Sequence, residues 1–351
     1  MHIKLLLIGS ECVHTYNYFR LIQSFFDEIV LITTDKTDFI DPKLSRKYVI
    51  NSSLRNPFHY FSVIRKLRKI IAKEQPTIIH VQQLVTYNFL LLKANKKFRI
   101  PVISTAWGSD ILVTPKLGWI YKKMVQYCIE QSDYLTADAQ FLIDEMQKLS
   151  RKKIEVVEAN FGITIPPTVP LTKENIIYSN RTHKPLYRID EIIHAFSRFV
   201  QLEQYRDWQL VIASKGPDTA SLKKLVEQLN IQNSVQFVGW LSSEENMTWY
   251  EKSKIWISLP ESDATAISLL EAMSVGCIPI VTDLPAMREW IENKKNGILV
   301  SDTRTLNIED AFSIDYPYLA SYNRKMMENK ASKKVNSDIF ISIYQSIINK
   351  K

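Results

Sequence analysis

Residues 257–283 read ISLPESDATAISLLEAMSVGCIPIVTD and hold the densest group of chemically capable side chains in the chain. A strand ends in the acidic turn Glu261-Ser262-Asp263, and a helix opens behind it near Ala266, with Thr265 placed to cap it. The first N–H groups of that helix, around Thr265, Ala266 and Ile267, have no intrahelical acceptor and lie at the positive end of its dipole. They suit a phosphate or sugar oxygen. Glu271 follows Asp263 by eight positions. Beside Leu269, Leu270 and Met273 its carboxylate is costly to bury unless hydrogen-bonded, and ribose hydroxyls would satisfy it. A glutamate on a helix surface is the plainer alternative.

Cations gather after the strand read at 176–179: Arg181, His183, Lys184 and Arg188. At the carboxyl end of a strand, Arg181 and Lys184 can clamp a diphosphate and stabilise it as it leaves; a solvated charge run is the alternative. Ser214-Lys215-Gly216-Pro217 forms a second such loop. Gly216 allows close backbone approach and Lys215 adds charge, although a simple turn explains Gly-Pro as well. In the first half, the strand at 100–104 runs into Trp107-Gly108-Ser109-Asp110. Asp110 can hold a sugar hydroxyl, act as a base, or cap the next segment.

Gly9-Ser10 follows the first strand, where a doubly wound domain meets its ligand. The sequence there is GSECVHTY, without the second and third glycines of a dinucleotide fingerprint. A Walker loop is absent throughout, so nicotinamide and P-loop chemistry are disfavoured. His14 has no partner at metal-ligand spacing and is either a ligand contact or a surface group; Arg20 reads as a salt-bridge residue. Cys12, Cys128 and Cys277 are too few and too scattered for a disulfide framework or a thiolate zinc site, and fit a reducing compartment.

The elements that must position these residues follow from periodicity. In 351 residues, 46% hydrophobic and 23% charged, there is core enough for two α/β domains, and disordered or fibrous classes are excluded. In the first half strands are read at 2–8, 29–33, 77–81, 100–104, 134–137 and 154–158, alternating with helices. Phe61, Ile64, Leu67, Ile70 and Ile71 form one helical stripe, and Asp138 is placed to cap a later helix. The alternation breaks at 160–170 (NFGITIPPTVP), taken as the linker. It resumes with strands at 176–179, 209–213, 235–238, 254–258, 278–281 and 298–300. The tail after Tyr316 is helical with few deep-core residues. The reading is therefore an N-terminal Rossmann-like domain over 1–165, a C-terminal one over 166–320 with a crevice between them, and a tail over 321–351 that packs back across the domains.

Charge is uneven: residues 1–165 hold 23 Lys+Arg against 15 Asp+Glu, whereas 166–351 hold 22 against 22. A positive first domain can attract nucleic acid, an anionic lipid surface or a phosphorylated substrate. No aromatic-basic signature, zinc motif or helix-turn-helix supports nucleic acid. No apolar run reaches the length of a membrane span.

DATAISLLEAMSVGCIPIV resembles the retaining, nucleotide-sugar-dependent glycosyltransferases of the GT-B fold, specifically family 4, in which an acid, seven positions and a glutamate precede a segment like SLLEAMAxGxPVV. The resemblance implies that Asp263 faces the transferred sugar, Glu271 binds the nucleotide ribose, and Thr265, Ala266 and Ile267 lie near the diphosphate. Arg181 matches the first of the family's basic pair. The lysine expected five positions on is Leu186, so Lys184 or Arg188 takes its place. Gly216-Pro217 resembles the family's GxGP loop. Asp110 matches an HGSD-like loop whose histidine position is Trp107. The implied reaction moves a sugar from a UDP- or GDP-sugar to an acceptor hydroxyl with retention, without a tightly bound cofactor or a metal. No DxD triplet occurs, although Glu261-Ser262-Asp263 comes close. The resemblance further implies a saccharide or lipid-linked saccharide acceptor and a cytoplasmic protein at the inner face of the membrane. That contact is expected through Arg65, Lys66, Lys69 and Lys73 or the 93–99 patch. Rival readings are a sugar-phosphate-using relative on the same fold, such as a phosphorylase or epimerase, and a catalytically inactive scaffold.

Overall fold

The computed structural model describes residues 2–36, 38–52, 57–168 and 172–350. Val169 and Pro170, at the end of the linker read from sequence, lie outside the described residues. Two compact units result: Met1–Phe161 with Asn336–Lys351, and Gly162–Val335.

Unit 1 holds β1 (Lys4–Gly9), β2 (Glu28–Thr33), β3 (Leu44–Val49), β4 (Ile78–Gln82), β5 (Val102–Ala106), β6 (Tyr134–Ala137) and β7 (Val156–Glu158). They form one parallel sheet in the order β3-β2-β1-β4-β5-β6-β7. Around it lie α1 (Val13–Ile22), α2 (Pro57–Glu74), α3 (Thr86–Asn95), the single turn α4 (Ser109–Leu112), α5 (Trp119–Gln131) and α6 (Gln140–Leu149). Leu5, Leu6 and Leu7 are all fully buried, which is why β1 reads as an unbroken apolar run rather than an alternation.

Three local expectations change. The segment LSRKYV carries no strand signal, yet it is β3, an edge strand paired only with β2 and mostly exposed. Its place is held by the buried Glu74 carboxylate, which accepts from Lys4 Nζ at 2.8 Å, Arg46 Nη1 at 2.6 Å and Tyr48 Oη. Phe61 leaves the stripe of α2 and is exposed; Val63, Ile64, Leu67, Ile70 and Ile71 form the buried face instead. Asp138 is not the cap of α6: Ala139 is, without a side-chain hydrogen bond.

Unit 2 repeats the plan with β8 (Glu174–Ser179), β9 (Gln209–Ala213), β10 (Val235–Gly239), β11 (Ser253–Ser258), β12 (Ile278–Thr282) and β13 (Ile298–Val300), parallel in the order β10-β9-β8-β11-β12-β13. Its helices are α7 (Ile189–Val200), α8 (Thr219–Gln228), α9 (Ser243–Lys252), α10 (Ile267–Ser274) and α11 (Tyr316–Met326), and α12 (Lys333–Asn349) carries the chain back into unit 1. The strands feed two cores by alternation. Ile177, Leu210, Ile212, Ile255 and Ile257 join one, while Tyr178, Val211, Ala213 and Trp256 join the other. Both faces are covered, as a parallel sheet requires. The strand order reverses between β1 and β4 in unit 1 and between β8 and β11 in unit 2. At those two points neighbouring loops diverge and leave a crevice at the carboxyl ends of the strands.

The tail is less polar in effect than its composition suggests. Leu319 and Met327 enter the cores of unit 2; Phe340, Ile343, Tyr344 and Ile347 are buried in unit 1. Tyr344 Oη meets Tyr18 Oη and His80 Nδ1, and His80 Nε2 reaches Thr105 Oγ1 at 2.6 Å. Burial pushes the His80 pKa down to about 3, so the ring is neutral. The contributing residues recur at helical spacing, and the docked helix shows them as one face. Phe340→Ala is expected to cost unit 1 about 3–5 kcal/mol, seen as an earlier urea transition; an unchanged midpoint would remove α12 from the core.

Candidate functional site

The crevice of unit 2 lies between the loops following β8 and β11. Arg181 stands two residues past β8, and Asp263 stands in the turn past β11. Arg181 Nη2 pairs with Asp263 Oδ2 at 2.7 Å, Nη1 donates to Ser268 Oγ at 3.0 Å, and the guanidinium lies 4.4 Å from the centre of the Tyr187 ring. Burial works against the charge, but the Asp263 carboxylate and Tyr187 more than offset it, and the pKa sits above the ordinary arginine value. Ser268 belongs to the first turn of α10. The cation is thereby laid against a helix N-terminus, and two independent sources of positive potential converge on one spot.

The acidic turn is tied to the basic loop at two further points. Glu261 N–H donates to the Leu186 carbonyl at 2.9 Å, and Arg188 Nη2 lies 3.5 Å from Glu261 Oε1. Arg188 holds a left-handed backbone (φ 46°) as the N-cap of α7. Lys184 behaves differently: it is exposed and lines a groove of about 440 Å³ with side chains of α7 and α8, none of them Arg181, Asp263 or Glu271. Geometry thus groups Arg188, and not Lys184, with the Arg181–Asp263 pair.

At α10 the expected cap is corrected. The helix opens at Ile267 with Ala266 as N-cap and no side-chain cap, and Thr265 is buried one residue earlier. The first-turn N–H groups of α10 lie at the positive end of its dipole and suit an anion.

Glu271 is partly exposed, yet closely surrounded by protein. Burial pushes its pKa up to about 7, opposed by a hydrogen bond from Tyr250 and by the charge of Lys333. Tyr250 Oη in turn accepts from Asn180 Nδ2 at 2.7 Å, and Asn180 Oδ1 accepts from Trp256 Nε1 at 3.1 Å. Asn246 Oδ1 closes the network by accepting from Tyr178 Oη at 2.6 Å and Asn180 Nδ2 at 2.9 Å. Asn180, Ala213, Ser214, Trp240, Leu241 and Asn246 enclose a small cavity of about 70 Å³ at the carboxyl ends of β8, β9 and β10. Nearby, the hydroxyls of Ser179, Ser258 and Thr282, at the ends of β8, β11 and β12, are buried without a protein partner. Asn180, Tyr250 and Asn246 were not found by reading the sequence. Asn246 and Tyr250 lie one turn apart on α9, but no spacing along the chain ties them to Asn180, which follows β8.

The loop after β9 is stapled to the loop after β8 by His183. Its Nε2 lies 3.1 Å from the Ala213 carbonyl and its Nδ1 2.8 Å from Thr219 Oγ1. Gly216 packs on the His183 backbone, so its missing side chain is what permits contact between the two loops. Lys215 is exposed, with its chain laid over Gly239.

In unit 1 the corresponding crevice lies between the loops after β1 and β4. A Cβ on Gly9 would lie 2.5 Å from Thr15 Oγ1, so this glycine lets α1 approach the strand. Asp110 is fully buried and accepts from Leu84 N–H at 2.8 Å and Trp107 N–H at 3.0 Å. It braces the loop after β4 against the loop after β5. Burial outweighs these bonds and raises its pKa. Trp107 meets His14 and Phe161 edge-on, at 5.0 and 4.7 Å between ring centres. The Trp107 Nε1 and both amide atoms of Gln82, at the end of β4, are buried without a protein partner. Buried polar atoms of this kind mark a place that takes up a polar ligand or water. Gln82 carried no sequence signal, being a polar residue inside an apolar strand. Among the described residues, no three His, Cys, Asp or Glu side chains converge at metal-binding distance.

Residues 4–139 match the family model described as glycosyl transferase 4-like, and residues 164–313 match that described as glycosyl transferases group 1. N-acetyl-alpha-D-glucosaminyl L-malate synthase of Bacillus anthracis is 24% identical over 284 residues, 74% of this chain and 70% of that protein. Alpha-monoglucosyldiacylglycerol synthase of Streptococcus pneumoniae is 22% identical over 264 residues, 67% of this chain and 58% of that protein. Among solved structures, HepE of Anabaena in complex with UDP matches with a TM-score of 0.79 at 12% identity, over 98% of this chain and 100% of that one.

A methyl group at Gly216 would lie 2.2 Å from the His183 carbonyl oxygen, a backbone atom that cannot swing aside. Gly216→Ala is therefore expected to cost about 1–3 kcal/mol, read from urea unfolding of unit 2; wild-type stability would show that the two loops can separate freely.

Proposed function

Because the chain is a GT-B-fold glycosyltransferase related to both of those families and uses nucleotide-sugar donors, we propose that it transfers a sugar with retention to an acceptor hydroxyl in the synthesis of a cell-surface polysaccharide or glycolipid. The observation that carries this reading is the Arg181 guanidinium held against the first turn of α10 by Asp263 and Ser268.

The diphosphate of the donor sits at that spot. The bond between the anomeric carbon and the diphosphate oxygen breaks, and Arg181, with the N–H groups at Ala266 and Ile267, takes up the developing negative charge. The acceptor oxygen bonds to the same face of the anomeric carbon, and its proton passes to the departing phosphate oxygen. The products are a glycoside and a nucleoside diphosphate, and no side chain is needed as nucleophile or base. Since fixed cations and a helix end carry the charge, this reading requires no metal. Asp263 does two things: it orients Arg181 and offers its other oxygen to a hydroxyl of the sugar. Arg188 is the second cation. Glu271, held by Tyr250, receives the ribose hydroxyls.

Unit 1 supplies the acceptor side. The lipid product named by the Streptococcus relative and the positive balance of residues 1–165 support a lipid-linked acceptor and peripheral contact with an anionic membrane at its cytoplasmic face. Among the described residues no helix is long and apolar enough to cross a membrane.

A panel of UDP-, GDP- and ADP-sugars is expected to contain one donor that raises the unfolding temperature, followed by transfer or slow hydrolysis of that donor. In Arg181→Ala turnover of that donor is expected to fall by roughly two to three orders of magnitude, about the value of one oxyanion donor. Lys184→Ala should stay close to wild type. Unchanged turnover in folded Arg181→Ala would take this residue out of the mechanism, and turnover of a sugar phosphate without a nucleotide would favour a phosphorylase-like reaction.

The Glu271 pKa near 7 sets a pH dependence. Only the ionised carboxylate accepts from both ribose hydroxyls, so donor affinity is expected to rise with pH through 7 and level off above it. The free protein shows the opposite sign: a carboxyl whose pKa is raised on folding favours the fold at low pH, and that contribution is lost as pH rises through 7. Calorimetric titration with the nucleotide sugar, which lacks a terminal phosphate titrating in this range, checks the binding limb. Glu271→Gln should flatten the profile, and a flat wild-type profile would separate Glu271 from the ribose.

A further inference from the structure

Thirteen large apolar side chains are exposed among the described residues, and five of them fall between Val113 and Tyr121. Leu117, Trp119 and Ile120 are 64%, 72% and 68% exposed. Residues 116–123, KLGWIYKK, are exposed without interruption. Soluble chains scatter exposed apolar side chains singly, and a contiguous cluster marks a contact surface. Lys116, Lys122 and Lys123 lie within the cluster, and no acid occurs from residue 111 to residue 129. The segment also opens α5, whose N-terminal N–H groups add positive potential.

We propose that this segment is the membrane-docking surface of unit 1: Leu117, Trp119 and Ile120 enter the interfacial region of an anionic bilayer while Lys116, Lys122 and Lys123 pair with lipid phosphates. This deepens the proposed function by naming where the membrane meets the acceptor side, and rests on that reading for its purpose.

Composition and placement carry the choice of occupant. A tryptophan and a tyrosine beside aliphatic groups and lysines are the residues suited to the boundary between headgroups and hydrocarbon. A second copy of this chain is disfavoured by charge: a twofold contact would set the three lysines against themselves with no acid to answer them. The basic faces named from sequence fit less well. Lys66 Nζ donates to the Val49 carbonyl at 2.6 Å, Lys73 lies over the Tyr48 ring, and Lys93 lies over Phe89 and Tyr127. On α2, among the residues whose side chains are described, Phe61 is the one large apolar group that is exposed, so that stretch can attract lipid but offers little to insert. Topology supplies the last step. α5 starts after the carboxyl end of β5, so the patch stands on the sheet edge that also carries the loops of Gly9, Gln82 and Trp107. An acceptor held in a bilayer would meet unit 1 at its crevice edge.

The test is flotation of the full chain with phosphatidylglycerol-containing vesicles and with pure phosphatidylcholine vesicles, at low and high salt. The wild type is expected to float with the anionic vesicles. L117S/W119S/I120S, altered only at exposed positions, should bind at least tenfold more weakly. K116Q/K122Q/K123Q should lose roughly tenfold to hundredfold together with most of the salt dependence. R65Q/K66Q/K69Q/K73Q should remain within about threefold of wild type. Wild-type flotation by L117S/W119S/I120S overturns the proposal, as does a sedimentation equilibrium in which the wild type forms a dimer that this variant abolishes. Thermal protection by the nucleotide sugar is measured on the same proteins. Its loss in the wild type would sink the glycosyl-transfer reading and leave the flotation result standing, while its retention in the non-floating variant shows that the fold and donor site are intact.

Discussion

One ion pair organises the crevice of unit 2. A largely covered guanidinium and carboxylate are each expensive to desolvate alone, and pairing offsets part of that cost for Arg181 and Asp263. Since the two residues come from loops after β8 and β11, the pair bridges the point at which the strand order of unit 2 reverses. Everything else at the site is arranged around it. Tyr187 covers the guanidinium face, Ser268 fixes its second nitrogen, and Arg188 with Glu261 ties the same two loops a little further out. A positive group prepared in this way would lose little on reorganisation when it meets the diphosphate proposed for this site, and that is the condition under which electrostatic stabilisation is most effective.

A second constraint is the accounting of buried polar atoms. In unit 2 the chain Trp256–Asn180–Tyr250–Glu271 satisfies several of them, while burial, opposed by the Tyr250 hydrogen bond, raises the Glu271 pKa to about 7. Unit 1 leaves Gln82 and the Trp107 indole without protein partners at the end of its own sheet. Asp110 shows the contrast. Its carboxylate accepts from the backbone N–H groups of two different loops and so braces them against each other. A tryptophan next to it, where related loops carry a histidine, packs against His14 and Phe161 and supplies shape instead of a titrating group.

The strand-helix alternation was legible because both sheets are parallel and covered on two faces, so their strands appear as compact apolar runs bounded by turns. β6, β9 and β13 coincide with the runs read from sequence, whereas β5 begins two residues later than read. β3 was invisible, because an edge strand with exposed Arg46 and Lys47 has neither alternation nor an apolar run. The tail was misjudged for a related reason: Phe340, Tyr344 and Ile347 look sparse until α12 is seen with one face down.

Residue types and short spacings, taken alone, determined the class of fold, the acidic turn with its glutamate eight positions later, and the presence of an arginine after a strand. Those are local facts, and local chemistry is what a linear chain records. Tertiary structure decided which cation joins that turn, that Thr265 does not cap α10, that Gly216 is small for the sake of His183, and that Asn180 and Tyr250 stand behind Glu271. Each of these depends on two segments many residues apart meeting at hydrogen-bond distance, and such a meeting is set by strand order and helix packing, which no spacing along the chain encodes.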